Sequence, residues 1–206
     1  MKSPMRAGAV VLAGGRASRM HGKDKPLQTL GDGTLLSHVI NNIRPLTPDI
    51  AISANHAMDR YRAYGMPVVS DRQSDYAGPL AGIHASMCWF AEHQPITHLI
   101  VVPGDAPCFP TEAISALLTA SGNNPELGIS WLKTDQQLQP LFSVWSTGLI
   151  QALDKALADG IYSPKQFIQS QANQLIHWEI SSTNDFSNIN TQEQLTALRQ
   201  RSFGQP

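Results

Sequence analysis

The stretch Ala7-Gly-Ala-Val-Val-Leu-Ala-Gly-Gly-Arg16 decides the fold. Its centre, residues 9–12, is apolar at every position, so it reads as a strand buried on both faces. It runs directly into two adjacent glycines, where backbone N–H groups can close on an anion without a Cβ in the way. Working outward, residues 50–53, 67–69 and 98–102 repeat the short apolar strand, the last most clearly. Helical stretches separate them at 34–43, about 58–64 and 79–92. The third spaces Leu80, Ile83, Met87 and Phe90 on one face, with Gly78-Pro79 as its start. Doubly apolar strands alternating with helices predict an α/β fold: a single-domain, Rossmann-like three-layer sandwich, its mostly parallel sheet flanked by helices. Ligands of such sheets sit beyond the carboxyl ends of the strands, here just after Leu12, Ser53, Val69 and Val102.

The rest of the chain predicts a helix over 111–120, strands over 127–132 and 138–144, and a helix over 147–158. Thr191-Gln-Glu-Gln194 has the form of a capping box, with Leu195 and Leu198 as the apolar stripe of a last helix. No repeat, low-complexity tract or linker divides the 206 residues, and Asn123-Asn124-Pro125 is only a turn, so one domain over 1–206 is expected. An apolar fraction of 42% with 15% charged is that of a folded chain, not a disordered one. Fifteen basic against sixteen acidic side chains leave a charge of −1, which gives no sign of wholesale binding to a nucleic-acid backbone and leaves room for a local basic site. Cys88 and Cys108 share no metal or disulfide spacing, so a reduced, cytoplasmic setting is expected. No apolar run reaches the ~20 residues that cross a bilayer. Lys2 and Arg6 ahead of residues 7–13 imitate a short signal peptide, but the brevity of that run and the Gly14-Gly15-Arg16 after it favour the buried strand.

The segment from Leu12 to Leu27 holds three glycines and carries Arg16, Arg19, Lys23 and Lys25. Four cations around a glycine turn at a strand end suit a polyphosphate; the alternative is a solvated surface loop. A Walker loop does not fit, because six residues separate Gly15 from Gly22 and Asp24 follows Lys23. GxGxxG is excluded by the adjacency of Gly14 and Gly15. Asp105 lies just past the 98–102 strand between Pro103 and Pro107, which restrict the backbone on either side. Magnesium takes oxygen ligands, commonly one or two carboxylates plus substrate phosphates, and Asp105 is the first choice for that ligand. Its competing role is to cap the helix near Thr111, which Thr111 can cap itself. Asp71 follows the third strand as a second acidic site residue or a turn former. The seven histidines are scattered singly, and no Ser/His/Asp arrangement is evident.

Taken in order, Leu12-Ala-Gly-Gly15, Arg19-Met20, Asp24-Lys25, Ser70-Asp71, Asp75-Tyr-Ala-Gly-Pro-Leu-Ala-Gly82, Pro103-Gly-Asp-Ala-Pro107 and Asn188-Ile-Asn-Thr191 cover nearly the whole chain. The ordered set resembles the nucleotidyltransferase family that includes the molybdenum cofactor guanylyltransferases. The resemblance implies GTP as donor, molybdopterin or Mo-molybdopterin as acceptor, Mg2+ as cofactor and pyrophosphate as the leaving group. It implies a nucleotide-binding part over roughly 7–120 and an acceptor-binding part over roughly 121–206. Leu12, Ala13, Gly14, Gly15, Lys25, Asp71 and Asp105 are then expected at the nucleotide. Arg19, Lys25 and Asp105 are expected to carry catalysis, with Asp105 as the metal ligand. Asn188 and Asn190 are expected at the acceptor, weighed against a turn and helix-cap role. A phosphate-monoester nucleophile is largely ionised at neutral pH, its second pKa being about 6, so no general base is needed.

The chain departs from the family pattern in places. Pro26 stands where glycine is common after Asp-Lys, Gly104 where cysteine is commoner, and Ser53 where some relatives carry an asparagine, leaving Asn55 as a substitute. Residues 159–164, Asp-Gly-Ile-Tyr-Ser-Pro, lack the usual arginines. Two rival functions remain: a cytidylyltransferase using CTP on the same pterin, and a non-catalytic nucleotide or pterin carrier module. A sugar-phosphate nucleotidyltransferase fits less well, given the short chain and Gly78-Pro-Leu-Ala-Gly82. No heptad offers a dimer, so a monomer is expected. Cofactor-delivery proteins are partners consistent with the resemblance, and no segment marks a surface for them.

Overall fold

The computed structural model describes residues 5–14, 24–71, 78–135, 137–182 and 185–203. Strand β1 (Ala7–Leu12) lies between β4 (Ile50–Ser53) and β6 (His98–Pro103) and is parallel to both. Val10, flanked by Ala9 and Val11, is fully buried like them, and the sheet pleat sends the two sets to opposite faces. Ala9 and Val11 pack with Leu36, Val39, Ile114 and Leu117, while Val10 packs with Leu80, Ile83, Met87 and Leu153. One face is thus covered by α1 (Leu35–Ile43) and α4 (Thr111–Asn123), the other by α3 (Gly78–His93) and α5 (Ile150–Ala158). This is the three-layer sandwich the apolar strands predict.

The seven-stranded sheet runs β5-β4-β1-β6-β8-β7-β9, where β5 is Val68–Val69, β7 Ile129–Thr134, β8 Leu138–Ser146 and β9 Asn173–Trp178. Its parallel half is the amino-terminal one; β8 is antiparallel to both neighbours, and β9 pairs parallel with β7. With β5-β4 and β4-β1 also parallel, the sheet is mostly parallel. A two-stranded hairpin, β2 (Thr29–Leu30) and β3 (Gly33–Thr34), stands apart from it.

Local differences from the sequence expectation have physical causes. Helix α1 begins one residue after Thr34, which is its cap and shares a capping box with Ser37. At α4 the cap position is Pro110 without a side-chain bond; Thr111 instead donates to the Asn42 carbonyl at 3.1 Å. The helix expected over 147–158 starts as a 3-10 turn at Thr147–Leu149. Helix α6 (Pro164–Ser170), capped by Ser163, and β9 have no counterpart in the sequence expectation. Helix α2 (Met58–Arg62) lies on the first face, and α7 (Gln192–Phe203) follows β9. Leu195 and Leu198 of α7 are buried with Ile189 against Leu30 and Leu35, which docks the carboxyl-terminal segment onto the hairpin beside α1. Among the described residues, no helix is long and apolar enough to cross a membrane.

Candidate active site

A cleft opens beyond the carboxyl ends of β1, β4, β5 and β6, lined among others by Leu12, Ser53, Asp71, Gly82, Lys25 and Asp105. Close backbone approach makes it. The Gly104 N–H donates to the Leu12 carbonyl at 2.9 Å, continuing the β1–β6 pairing past its last rung. The absent Cβ of Gly82 would stand 2.5 Å from Ser53 Oγ, so with any larger residue there the Ser53 side chain or α3 would have to shift. Ser53 itself is buried.

At one end sits Asp71. Asn55 Nδ2 donates to Asp71 Oδ2 at 2.8 Å, and the Asp71 N–H donates to Asn55 Oδ1 at 2.9 Å. The reciprocal pair locks the carboxylate in one orientation. Burial pushes the Asp71 carboxyl above its ordinary value, and the Asn55 bond partly offsets this. Of the two candidates beyond β4, Asn55 is the one joined to a site residue. Fifteen residues and a helix lie between the partners, so their spacing in sequence carried no signal of the bond.

At the other end, chain segments far apart in sequence converge. A 3-10 turn at Lys25–Leu27, with Pro26 at its start and buried, sets the Lys25 ammonium into the cleft. Arg60 of α2 holds the preceding Asp24 at 3.1 Å. Lys25 Nζ donates to Asn190 Oδ1 at 2.7 Å and stands 3.9 Å from Asp105 Oδ2. At that separation the two charges attract without a hydrogen bond. The Asp105 carbonyl accepts from the Ile189 N–H at 2.8 Å, so the carboxylate turn and the Asn188–Asn190 segment are stitched together. Burial raises the Asp105 carboxyl, opposed by Lys25 and by its own backbone N–H.

Asn188 lines this cleft and also a second cavity, formed with Gln137, Gln139, Asp185, Asn190 and Gln194. The structure thus brings together Leu12, Ala13, Gly14, Lys25, Asp71, Asp105 and Asn188 in one cleft, with Asn190 bonded to Lys25 at its edge. Gly15 and Arg19 lie outside the described residues, as do Arg16, Lys23, Asp75 and Tyr76. Thr191 and Gln194 cap α7: the Gln194 N–H donates to Thr191 Oγ1 at 3.2 Å. That frees Asn190 from the capping role considered for it. Gln137 and Gln139 had no motif to mark them, and Gln194 was visible only as a cap.

Among the described residues, no three His, Cys, Asp or Glu side chains gather into a ready-made metal site. The donor set still suits a magnesium ion held partly by substrate. Asp105 offers a carboxylate beyond hydrogen-bond range of Lys25, the one cation paired with it among the described residues.

Comparison with known proteins follows the same outline. The family model described as "MobA-like NTP transferase domain" matches residues 9–175. The chain is 36% identical to the molybdenum cofactor guanylyltransferase of Pseudomonas aeruginosa strain PAO1, over 93% of each chain. It is 31% identical to the guanylyltransferase of the same name from Rhodopseudomonas palustris strain HaA2, over 100% of this chain and 97% of the relative. Among solved structures, molybdopterin-guanine dinucleotide biosynthesis protein A from Archaeoglobus fulgidus superposes with a TM-score of 0.76 at 20% identity, covering 96% of this chain and 100% of the other. A cytidylyltransferase from Leptospira borgpetersenii superposes at 0.75 with 13% identity, over 98% and 89%. At such identities the two structural likenesses bear on the fold alone.

Proposed function

Because this chain belongs to the MobA-like NTP transferase family, we propose that it transfers GMP from GTP to the terminal phosphate of molybdopterin. The products are molybdopterin guanine dinucleotide and pyrophosphate. One observation carries the reading: Lys25, Asp105 and Asn190, from three distant segments, meet where the nucleotide cleft adjoins a second, polar cavity. Donor and acceptor phosphates must meet at such a junction.

An acceptor phosphate oxygen attacks the α-phosphorus of GTP in line with the departing pyrophosphate. The nucleophile is already ionised near neutral pH, so the protein supplies position and positive charge rather than a base. Backbone groups of Leu12, Ala13, Gly14 and Gly15 follow the nucleotide, and Lys25 faces the charge that develops on the transferring phosphoryl group. Arg19 joins it in this role on the family resemblance. Asp105 would hold a magnesium ion, which when bound neutralises phosphate charge. Asn190 keeps the Lys25 ammonium fixed through their 2.7 Å bond. Asn188 and Asn190 face the acceptor.

Guanine is favoured over cytosine by Asp71. Asn55 uses one side of this carboxylate, and the acceptor capacity that remains suits adjacent N–H donors. Guanine presents two such donors, N1–H and the 2-amino group; cytosine has no ring N–H beside its amino group. A nucleotide panel with Mg2+ and molybdopterin tests the assignment: GTP should give the highest kcat/KM and stoichiometric pyrophosphate. Preference for CTP overturns the base assignment, and absence of pyrophosphate with every nucleotide makes the chain a carrier.

A further inference from the structure

The second cavity contains two amide side chains whose orientation is dictated by their partners. Lysine can only donate, so the Asn190 atom 2.7 Å from Lys25 Nζ must be its oxygen. The backbone N–H groups of Asn190 and Thr191 likewise only donate, at 2.7 and 3.1 Å, so the Gln194 atom they meet is Oε1. Both oxygens are consumed, which leaves Asn190 Nδ2 and Gln194 Nε2 as the groups these residues can offer a ligand. Among the described residues neither nitrogen has a hydrogen-bond partner. Both residues line the second cavity, and the Asn190 backbone and side chain join Gln194 to Lys25 in one bonded series. Asp185, the carboxylate of that cavity, already has Oδ2 met by the Ser181 and Ser182 N–H groups and the Ser181 hydroxyl, each at 3.0 Å.

We infer that Gln194 is a binding residue for the acceptor, donating from Nε2, beside Asn190 Nδ2, to the acceptor's terminal phosphate monoester. The inference rests on the proposed nucleotidyl transfer and adds to it the group that receives the nucleophilic phosphate. Neutral donors are suited to this task. They orient a dianionic phosphate by hydrogen bonds without adding a cation that would lower the charge on the attacking oxygen. Glutamine also differs from glutamate here in a decisive way. Either side chain can complete the cap at the third helical position, but only glutamine leaves a donor facing the cavity.

Gln194→Glu therefore separates the two roles, since it preserves the cap and replaces the donor with a negative charge. The expected result is an unchanged Tm, unchanged GTP affinity by calorimetry, kcat within a few-fold of the parent, and a KM for molybdopterin raised at least tenfold. An unchanged KM overturns the inference. Side-chain amide NMR of the GTP-loaded parent, titrated with methyl phosphate, provides the arm that does not depend on molybdopterin. The Gln194 NH2 resonances should shift in the parent, and binding should weaken in Gln194→Glu as judged by the remaining backbone shifts. Should the parent transfer nothing to molybdopterin while these resonances still respond, the functional reading falls and the phosphate assignment stands. No response there and no KM change removes the assignment.

Discussion

Asp105→Asn should make the protein more stable and nearly inactive at once. The carboxylate is mostly buried, its side chain 21% exposed, and its one cationic neighbour among the described residues is 3.9 Å away. A pair at that distance attracts by about 1 kcal/mol in bulk water and about 4 kcal/mol at the effective dielectric constant of a protein surface. The carboxyl is nevertheless raised above its ordinary 3.8, so burial outweighs that attraction. A raised folded-state value means that protonation favours the fold: the contribution is complete below 3.8 and is lost as pH rises through the raised value. An amide resembles the protonated acid at every pH. At pH 7 the variant should gain about 1–2 kcal/mol, the size of gain common when a strained functional group is relieved. For a domain of this length that is a Tm higher by roughly 2–8 °C. At pH 3 the two proteins should melt together. Scanning calorimetry of the metal-free proteins between pH 3 and 8 measures this, and adding GTP with Mg2+ should then stabilise the parent more than the variant. GMP transfer should fall by about two orders of magnitude or more, as when one preorganised charge-stabilising group is removed. A variant that melts below the parent at pH 7 would show that the Lys25 pair, not burial, dominates, and the reasoning would fail.

Other substitutions test the remaining geometry. Gly82→Ala places a Cβ 2.5 Å from Ser53 Oγ and 3.3 Å from Leu12 Cδ2, so it should cost about 1–3 kcal/mol by chemical denaturation. Most of that loss should return in Gly82→Ala/Ser53→Ala, and additive losses would point to a different obstacle. Asn55→Ala removes the bond that opposes the burial of Asp71. GTP should then bind about tenfold more weakly, with affinity lost on acidification at a higher pH than in the parent, as read by calorimetry from pH 5 to 8. Leu195→Ala empties a fully buried position under α7 and should cost about 2–5 kcal/mol. Hydrogen exchange should accelerate in α7, and the KM for the acceptor should rise more than the Kd for GTP; equal effects on both would separate α7 from the acceptor end.

The parallel half of the fold was legible because burial on both faces leaves no polar position in a strand. Ala9, Val10 and Val11 announce the centre of the sheet by themselves. The other edge gave no such signal. In β9 the side chains are half-buried or exposed, Leu175 at 43%, and Asn173, Gln174 and His177 interrupt any apolar run. The insertion of β8 between β6 and β7 is a fact of long-range pairing, which local periodicity does not encode. In the site, Lys25 and Asp105 could be read from their places beside strand ends. The Asn55–Asp71 pair could not, because the register of β4 with β5 and the turns beyond them create it. Gln194 was hidden differently: its capping role explains the residue so fully that the second face of the same amide leaves no trace in the sequence.

The site is completed by the end of the chain, which has a consequence for how acceptor and donor are coupled. The turn at Lys25–Leu27 and the turn after β6 supply Lys25 and Asp105, and among the described residues Asn190 holds the ammonium by a hydrogen bond at 2.7 Å. The preceding Ile189 anchors this segment through its N–H bond to the Asp105 carbonyl and through its burial with Leu30, Leu35, Leu195 and Leu198. The Phe186 N–H adds a 2.7 Å bond to the Cys108 carbonyl, past the same β6 turn. On the proposed function, an acceptor that draws on Asn190 or Gln194 therefore acts on the segment that positions Lys25. On that proposal, donor phosphates at Lys25 and an acceptor in the second cavity would be joined through one short bonded series, and preorganisation at the phosphates would depend on the packing of α7.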